Sequence, residues 1–169
     1  MSVPDGLTFE FRLEGFGWAK LVVSNSIETN TIDTISYCTD ALDDLILLAI
    51  QIATGAHFSF ALFDHEPRVT ILVAQTGWDE EGQWQTGARI VAFEGWSGLT
   101  APSFEEIQQL DQRFLFDAET GDSISHAILK CAERVLEEHG TDGYSKLWNG
   151  HRGFPIRGLA ALRAALRDM

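Results

Sequence analysis

Cysteine and positive charge are both scarce in this 169-residue chain. The two cysteines, Cys38 and Cys131, match neither a zinc ribbon nor a redox CxxC spacing, so we expect free thiols in a reducing cytoplasm. Only 12 lysines and arginines stand against 25 aspartates and glutamates, which gives a net charge of −13. That balance argues strongly against nonspecific binding to DNA, RNA or anionic membranes, because such binding requires a basic surface.

Long hydrophobic runs are missing as well. The longest, Leu45–Ile50, is far shorter than the roughly 18 apolar residues that a membrane span needs. The first residues, MSVPDGLTFEF, lack the basic and then apolar order of a secretory signal. We therefore expect a cytoplasmic protein that does not bind membranes.

The sequence also lacks the motifs of cofactor, metal and covalent chemistry. The glycine pairs in GFGW and GHRG have no phosphate-loop context, and neither HExxH nor G-x-S-x-G occurs. The five histidines are dispersed along the chain. We expect no cofactor, no metal site and no catalytic residue, so the sequence favours a non-enzymatic protein while leaving an enzyme open.

Charge is distributed unevenly along the chain. Residues 145–169 contain five basic side chains and one acid, a net charge of +4, which leaves −17 for residues 1–144. A basic segment on an acidic body most simply packs against that body. An anion-binding site in the same segment is the alternative.

The spacing of the apolar residues predicts strands in the first third and the middle of the chain. Leu7, Phe9, Phe11 and Leu13 alternate with polar residues, which is typical of a half-buried strand, and the glycines around Phe16 indicate a hairpin. Further strands are predicted in TNTIDTISY, HFSFALF, RVTILVAQ, ARIVAFEGW and QRFLFDAETG.

Helical spacing follows in three places. Leu42, Leu45 and Ile46 begin an apolar face that predicts a central helix ending near Gly55. Ser103 with Glu106 forms a capping-box pattern, and the last third of the chain is helical. The sequence predicts one α+β domain over residues 1–169, with a largely antiparallel sheet of about five to seven strands, one central helix and C-terminal helices packed on it.

The segment FALFDHEPRV places Asp64, His65 and Glu66 between two predicted strands. Adjacent residues of a strand point to opposite faces, and Pro67 restricts the backbone, so the pattern favours a hairpin turn. The alternative is a pocket that only the fold assembles, with Asp64, His65 and Cys38 as its candidate residues.

The loop that begins at Thr76 is the leading candidate for a contact surface. It carries two tryptophans beside three carboxylates: Trp78, Asp79, Glu80, Glu81 and Trp84. Tryptophan is frequent at interface hot spots, and carboxylates attract a basic partner. The alternative is a cross-strand pair of the two tryptophans that stabilises the hairpin, by about 0.5–1 kcal/mol.

Three stretches resemble a family of small uncharacterised bacterial proteins: TISYCTDALDDLILLAIQIATG, FDHEP and AERVLEEHGTDGYSKLWNGHRGFPIRGLAALRAAL. The resemblance implies a sheet, a helix entry, a hairpin and a C-terminal helical run in that order, and it supplies no catalytic residues. In size, acidity and lack of a reaction motif, the chain is also similar to the immunity proteins of bacterial toxin systems.

These observations leave three classes of function. The first is a protein that binds a basic protein partner, in the manner of an immunity protein that inhibits a basic toxin. The second is a small-ligand-binding protein or enzyme with a pocket assembled by the fold. The third is a structural module that forms homo-oligomers.

Overall fold

The computed structural model describes residues 6–78, 84–98, 100–148, 150 and 152–168. The strands and helices of these residues follow in the order β1 (Thr8–Gly15), β2 (Trp18–Ser24), β3 (Thr29–Ser36), α1 (Ala41–Ala53), β4 (Phe58–Asp64), β5 (Val69–Trp78), β6 (Trp84–Trp96), α2 (Phe104–Gln108), β7 (Asp111–Ala118), α3 (Gly121–Leu147) and α4 (Ile156–Arg167). None of the helices described is long and apolar enough to cross a bilayer.

The strands form two antiparallel sheets, ordered β1-β2-β3 and β4-β5-β6-β7. The α+β class and the antiparallel pairing are therefore as predicted. The prediction of one sheet with one central helix is wrong in part, because the strands divide into two sheets and four helices are present in the described residues. Helix α1 joins β3 to β4, and this long connection removes the tight turn that would hold the two strands side by side.

The main core lies between the sheets and the helices. Helix α1 packs against α3, α4 and β4, and α3 also packs against β1. Buried side chains from both sheets and from α1, α3 and α4 form one cluster. Gly158 allows the close approach of α4 to α1, because a Cβ atom there would lie 3.1 Å from Asp43 Oδ1.

The outer face of the four-stranded sheet is apolar as well. Val69, Ile71 and Val73 of β5 are buried there with Ile107 of α2. The phenylalanines of the predicted strand HFSFALF divide between the two faces: Phe58 and Phe60 pack on this outer cluster, whereas Phe63 lies in the main core. Successive side chains of β4 thus point to two faces of the sheet, and both of these faces are apolar.

The predicted capping box at Ser103 is present in the structure. Ser103 caps α2 in a complete capping box, with Glu106 N donating to Ser103 Oγ at 3.2 Å and Ser103 N donating to Glu106 Oε2 at 2.7 Å. Gly140 interrupts α3 with φ 66° and ψ 176°, a left-handed region that glycine enters without a steric penalty.

The basic C-terminal segment packs against the acidic body, as expected from its charge. Arg163 Nε lies 2.9 Å from Glu133 Oε1 of α3, and Arg152 Nη1 lies 3.6 Å from Asp40 Oδ2 before α1. Both pairs keep contact with solvent, so they orient α4 and contribute little free energy of folding.

Candidate functional site

The segment DHEP forms the turn between β4 and β5. His65 N donates to Arg68 O at 2.7 Å, and Glu66 N donates to Asp64 Oδ1 at 2.8 Å. The peptide bond between Glu66 and Pro67 is cis, and Glu66 has φ 46°. The predicted hairpin turn is therefore present, and the Asp64 carboxylate accepts a hydrogen bond from the backbone within it.

His65 is held by hydrogen bonds at both ring nitrogens. Nδ1 lies 3.3 Å from the carbonyl oxygen of Thr34, and Nε2 lies 2.6 Å from Thr70 Oγ1. Nδ1 also lies 3.5 Å from Thr34 Oγ1, and because a hydroxyl both donates and accepts, these contacts are compatible with either tautomer of the ring. The ring thus joins β3 of one sheet to β5 of the other.

Cys38 lies on the other side of the same turn. Its Sγ donates to Glu66 Oε1 at 3.0 Å. The hydrogen bond to the Glu66 carboxylate raises the pKa of the Cys38 thiol, and a hydrogen bond from Ser36 opposes this only in part. A thiol that is kept protonated is a weak nucleophile, so this arrangement does not favour covalent catalysis.

A cleft of about 810 Å³ opens beside the turn, and we call it the turn cleft. Its walls come from both sheets, with contributions from Asp33, Thr34, His65, Pro67, Arg68, Val69, Thr70, Glu94, Gly95, Trp96, Ser97, Asp111 and Arg113. A second cavity of about 380 Å³ shares Pro67, Val69 and Ser97 with it and reaches Asp64 and Glu66.

The three pocket candidates are neighbours but do not converge on one point. His65 lines the turn cleft, Asp64 lines the smaller cavity, and Cys38 lines neither of these two. Asp33, Thr34 and Arg113 also line the turn cleft and were not among the predicted site residues, because they are far apart along the chain. Thr34 has a φ of 52°, which is unusual for a β-branched residue.

The turn cleft is lined by charged side chains of both signs. Arg113 Nη1 pairs with Glu94 Oε1 at 2.8 Å, while Arg68 lies exposed at the rim. Among the described residues, no three histidine, cysteine or carboxylate side chains are grouped so that they could hold a metal ion. The cleft therefore offers hydrogen bonds, ion pairs and the Trp96 ring to a ligand.

The candidate contact loop continues the β5–β6 pair. Strand β4 pairs with β5 as far as Gln75, and β7 pairs with β6 as far as Ala88. Beyond these positions β5 and β6 pair with each other, and Trp78 is opposite Trp84. We call this two-stranded extension, residues 77–78 of β5 and 84–87 of β6, the β5–β6 ribbon.

Two of the predicted contact residues, Trp78 and Trp84, belong to this ribbon. The backbones of Trp78 and Trp84 are described and paired, as the cross-strand alternative requires, whereas Asp79, Glu80 and Glu81 lie outside the described residues. The ribbon and the turn cleft are at opposite ends of β5, so they are separate candidate sites.

Comparison of the chain with known protein families, with curated proteins and with solved structures found no match.

Proposed function

We propose that this chain is a non-enzymatic protein that binds a basic protein partner through the β5–β6 ribbon, in the manner of an immunity protein that inhibits a basic bacterial toxin. The observation that carries the proposal is the extension of β5 and β6 past both neighbouring strands. Strand residues that lack a neighbouring strand are accessible to a partner without any rearrangement of the core.

Composition supports the same site. The sequence between the two strands places Asp79, Glu80 and Glu81 between Trp78 and Trp84, on a chain of net charge −13. Carboxylates at an interface rim accelerate association with a basic partner, and tryptophans supply buried contact area. The Glu66 carboxylate raises the pKa of the Cys38 thiol, which does not favour covalent catalysis through Cys38.

Neutralising the carboxylates between Trp78 and Trp84 tests this function. We expect the variant Asp79→Asn, Glu80→Gln, Glu81→Gln to associate with the partner about 10-fold more slowly at low salt, because steering by charge is lost. Capture from the native host would identify the partner, and stopped-flow association at two salt concentrations would measure the effect. We expect the difference to shrink at 0.5 M salt, where charges are screened.

A matched control removes the same charge elsewhere. Glu105, Glu119 and Glu137 are exposed on other elements, and their triple replacement with glutamine lowers the net charge equally. If this control slows association as much as the ribbon variant, or if no captured partner depends on the ribbon, the proposal is wrong. The neighbouring genes test the immunity role, which requires an adjacent toxin gene whose product this chain neutralises on co-expression.

Binding of a small polar ligand in the turn cleft is a second candidate, favoured by the volume of about 810 Å³, which is within the usual range for ligand sites. A panel of small charged metabolites, screened by thermal shift, tests it. A specific ligand should raise the melting temperature and perturb the amide signals of Thr34 and Thr70, and the absence of any such ligand would remove this candidate.

A further inference from the structure

A cavity of about 180 Å³ lies between helix α2 and the outer face of the four-stranded sheet, and we call it the α2 pocket. All four strands of that sheet and α2 contribute side chains to its walls. None of the described residues that line the α2 pocket lines the turn cleft or belongs to the β5–β6 ribbon. It is therefore a separate candidate site, and its occupation does not depend on the proposed function.

The walls of the α2 pocket are mainly apolar and aromatic. Val73, Val91 and Leu115 line it from neighbouring strands, since Val73 pairs with Val91 and Val91 pairs with Leu115. Phe58 and Phe104 line it as well, and their rings meet edge to face with centroids 5.5 Å apart. Walls of this kind favour an aromatic ring or a hydrocarbon over a charged group.

Helix α2 covers the pocket with little attachment of its own. Of its five residues only Ile107 is buried. The side chain of Phe104 stays half exposed although its ring contacts Phe58. A ligand ring in the pocket would remove more of this aromatic surface from water, which is favourable.

The volume of the α2 pocket limits the occupant to one ring. An engineered apolar cavity of about 150 Å³ in another protein binds benzene, whereas sites for drug-sized ligands have about 300–1,000 Å³. The α2 pocket, with about 180 Å³, is slightly larger than the first and well below the second range. A molecule with one six-membered ring and a small substituent fits this volume, and a nucleotide does not.

Four polar side chains also line the α2 pocket, and they select the substituent: Gln75, Arg89, Gln108 and Gln112. Arg89 Nε donates to Gln75 Oε1 at 3.2 Å, so these two side chains hold each other in place. A glutamine amide both donates and accepts, which suits a hydroxyl or amide group. The Arg89 guanidinium disfavours a cation, while Asp117, opposite Arg89 in the β6–β7 pair, and the net charge of −13 disfavour an anion.

We propose that the α2 pocket binds a small neutral molecule that has one aromatic ring and a hydroxyl or amide substituent. The ring packs against Val73, Val91 and the ring of Phe104, and the substituent forms a hydrogen bond with a glutamine amide of the lining. This site makes the chain a receptor for a metabolite of that class, a role that neither the β5–β6 ribbon nor the turn cleft requires.

Four probes of similar size and different polarity test the proposal: 4-methylphenol, toluene, benzoate and benzylamine. Each is titrated into the full chain and followed by the backbone amide signals of Val91, Ile107 and Leu115. We expect 4-methylphenol to bind with a Kd on the order of 1 mM or below. Toluene should bind about 10-fold more weakly because it lacks the hydrogen bond, and the two ions more weakly still. Toluene or an ion binding as tightly as 4-methylphenol, or no saturable shift with 4-methylphenol, would overturn the proposal.

Variants show whether the shifts arise in the α2 pocket. Val91→Phe places a ring in the pocket and should abolish binding, whereas Val22→Phe makes the same change at a partly buried position of β2 in the other sheet and should leave binding unchanged. If Val91→Phe does not fold, Phe104→Ala answers the same question, since Phe104 is half exposed. It should weaken binding of 4-methylphenol about 10-fold. Undiminished binding in either pocket variant would contradict the assignment.

Discussion

Replacing Leu45 with alanine is expected to lower the free energy of unfolding by about 3 kcal/mol, within the roughly 2–5 kcal/mol found for buried leucines. Leu45 is completely buried in α1, and α1 contacts α3, α4 and β4. The cavity would open where several elements meet, so the surroundings cannot collapse into it by moving one side chain. For a chain of this length the melting temperature should fall by about 10 °C.

The same helix offers a matched control. Leu47 has half of its surface exposed, so Leu47→Ala removes the same atoms without leaving a cavity. We expect a change below about 0.5 kcal/mol, as is usual for surface positions. Urea unfolding of both variants measures the difference, and equal effects would show that α1 does not have the buried face assigned here.

Asparagine in place of Asp44 is expected to stabilise the protein at pH 7.5 by about 1–2 kcal/mol. The pKa of Asp44 is raised from its ordinary value of 3.8 to about 6, mainly by burial and also by the charges of Asp40 and Asp43, while Arg152 opposes the increase. At pH 7.5 the folded protein therefore carries an unfavourable negative charge. Asparagine removes that charge, and the gain is reduced by the lost attraction to the helix N-terminus and by partial solvent contact.

The pH dependence gives this prediction its sign. The folded protein binds a proton at Asp44 more tightly than the unfolded chain does. The stabilisation from that proton is fully present below about pH 4 and is lost as the pH rises through about 6. The difference between the variant and the wild type should therefore be near zero at pH 4 and reach its full value above pH 7.

Urea unfolding at pH 4.5, 6 and 7.5 measures this effect. Asp122→Asn is the control, since Asp122 also lies in the first turn of a helix but belongs to α3 and not to α1. It should show no gain at pH 7.5. A gain for Asp44→Asn that is the same at all three pH values would contradict the explanation by charge.

The stability tests also separate the functional proposals. Leu45 and Asp44 belong to helix α1, whereas Asp79, Glu80 and Glu81 stand between Trp78 and Trp84 in the sequence. Variants of the ribbon should therefore change association without changing the melting temperature. Loss of binding with unchanged stability is the combination that the proposed function requires.

Local features were predictable from the sequence because they depend on neighbours along the chain. Alternation and glycines near Phe16 predicted the β1–β2 hairpin, and 3–4 spacing predicted α1. The pair Ser103 and Glu106 predicted the start of α2, and Pro67 in a polar segment predicted the turn. In each case the side chains that determine the structure lie within a few residues of one another.

The tertiary structure decided which distant segments meet. Periodicity identifies strands but not their partners, so the division into two sheets was missed. His65 meets Thr34 only because β3 and the β4–β5 turn come together, and that contact creates one wall of the turn cleft. Asp40 likewise meets Arg152 only in the folded chain, because burial and long-range contact, unlike turns and helix caps, are properties of the assembled fold.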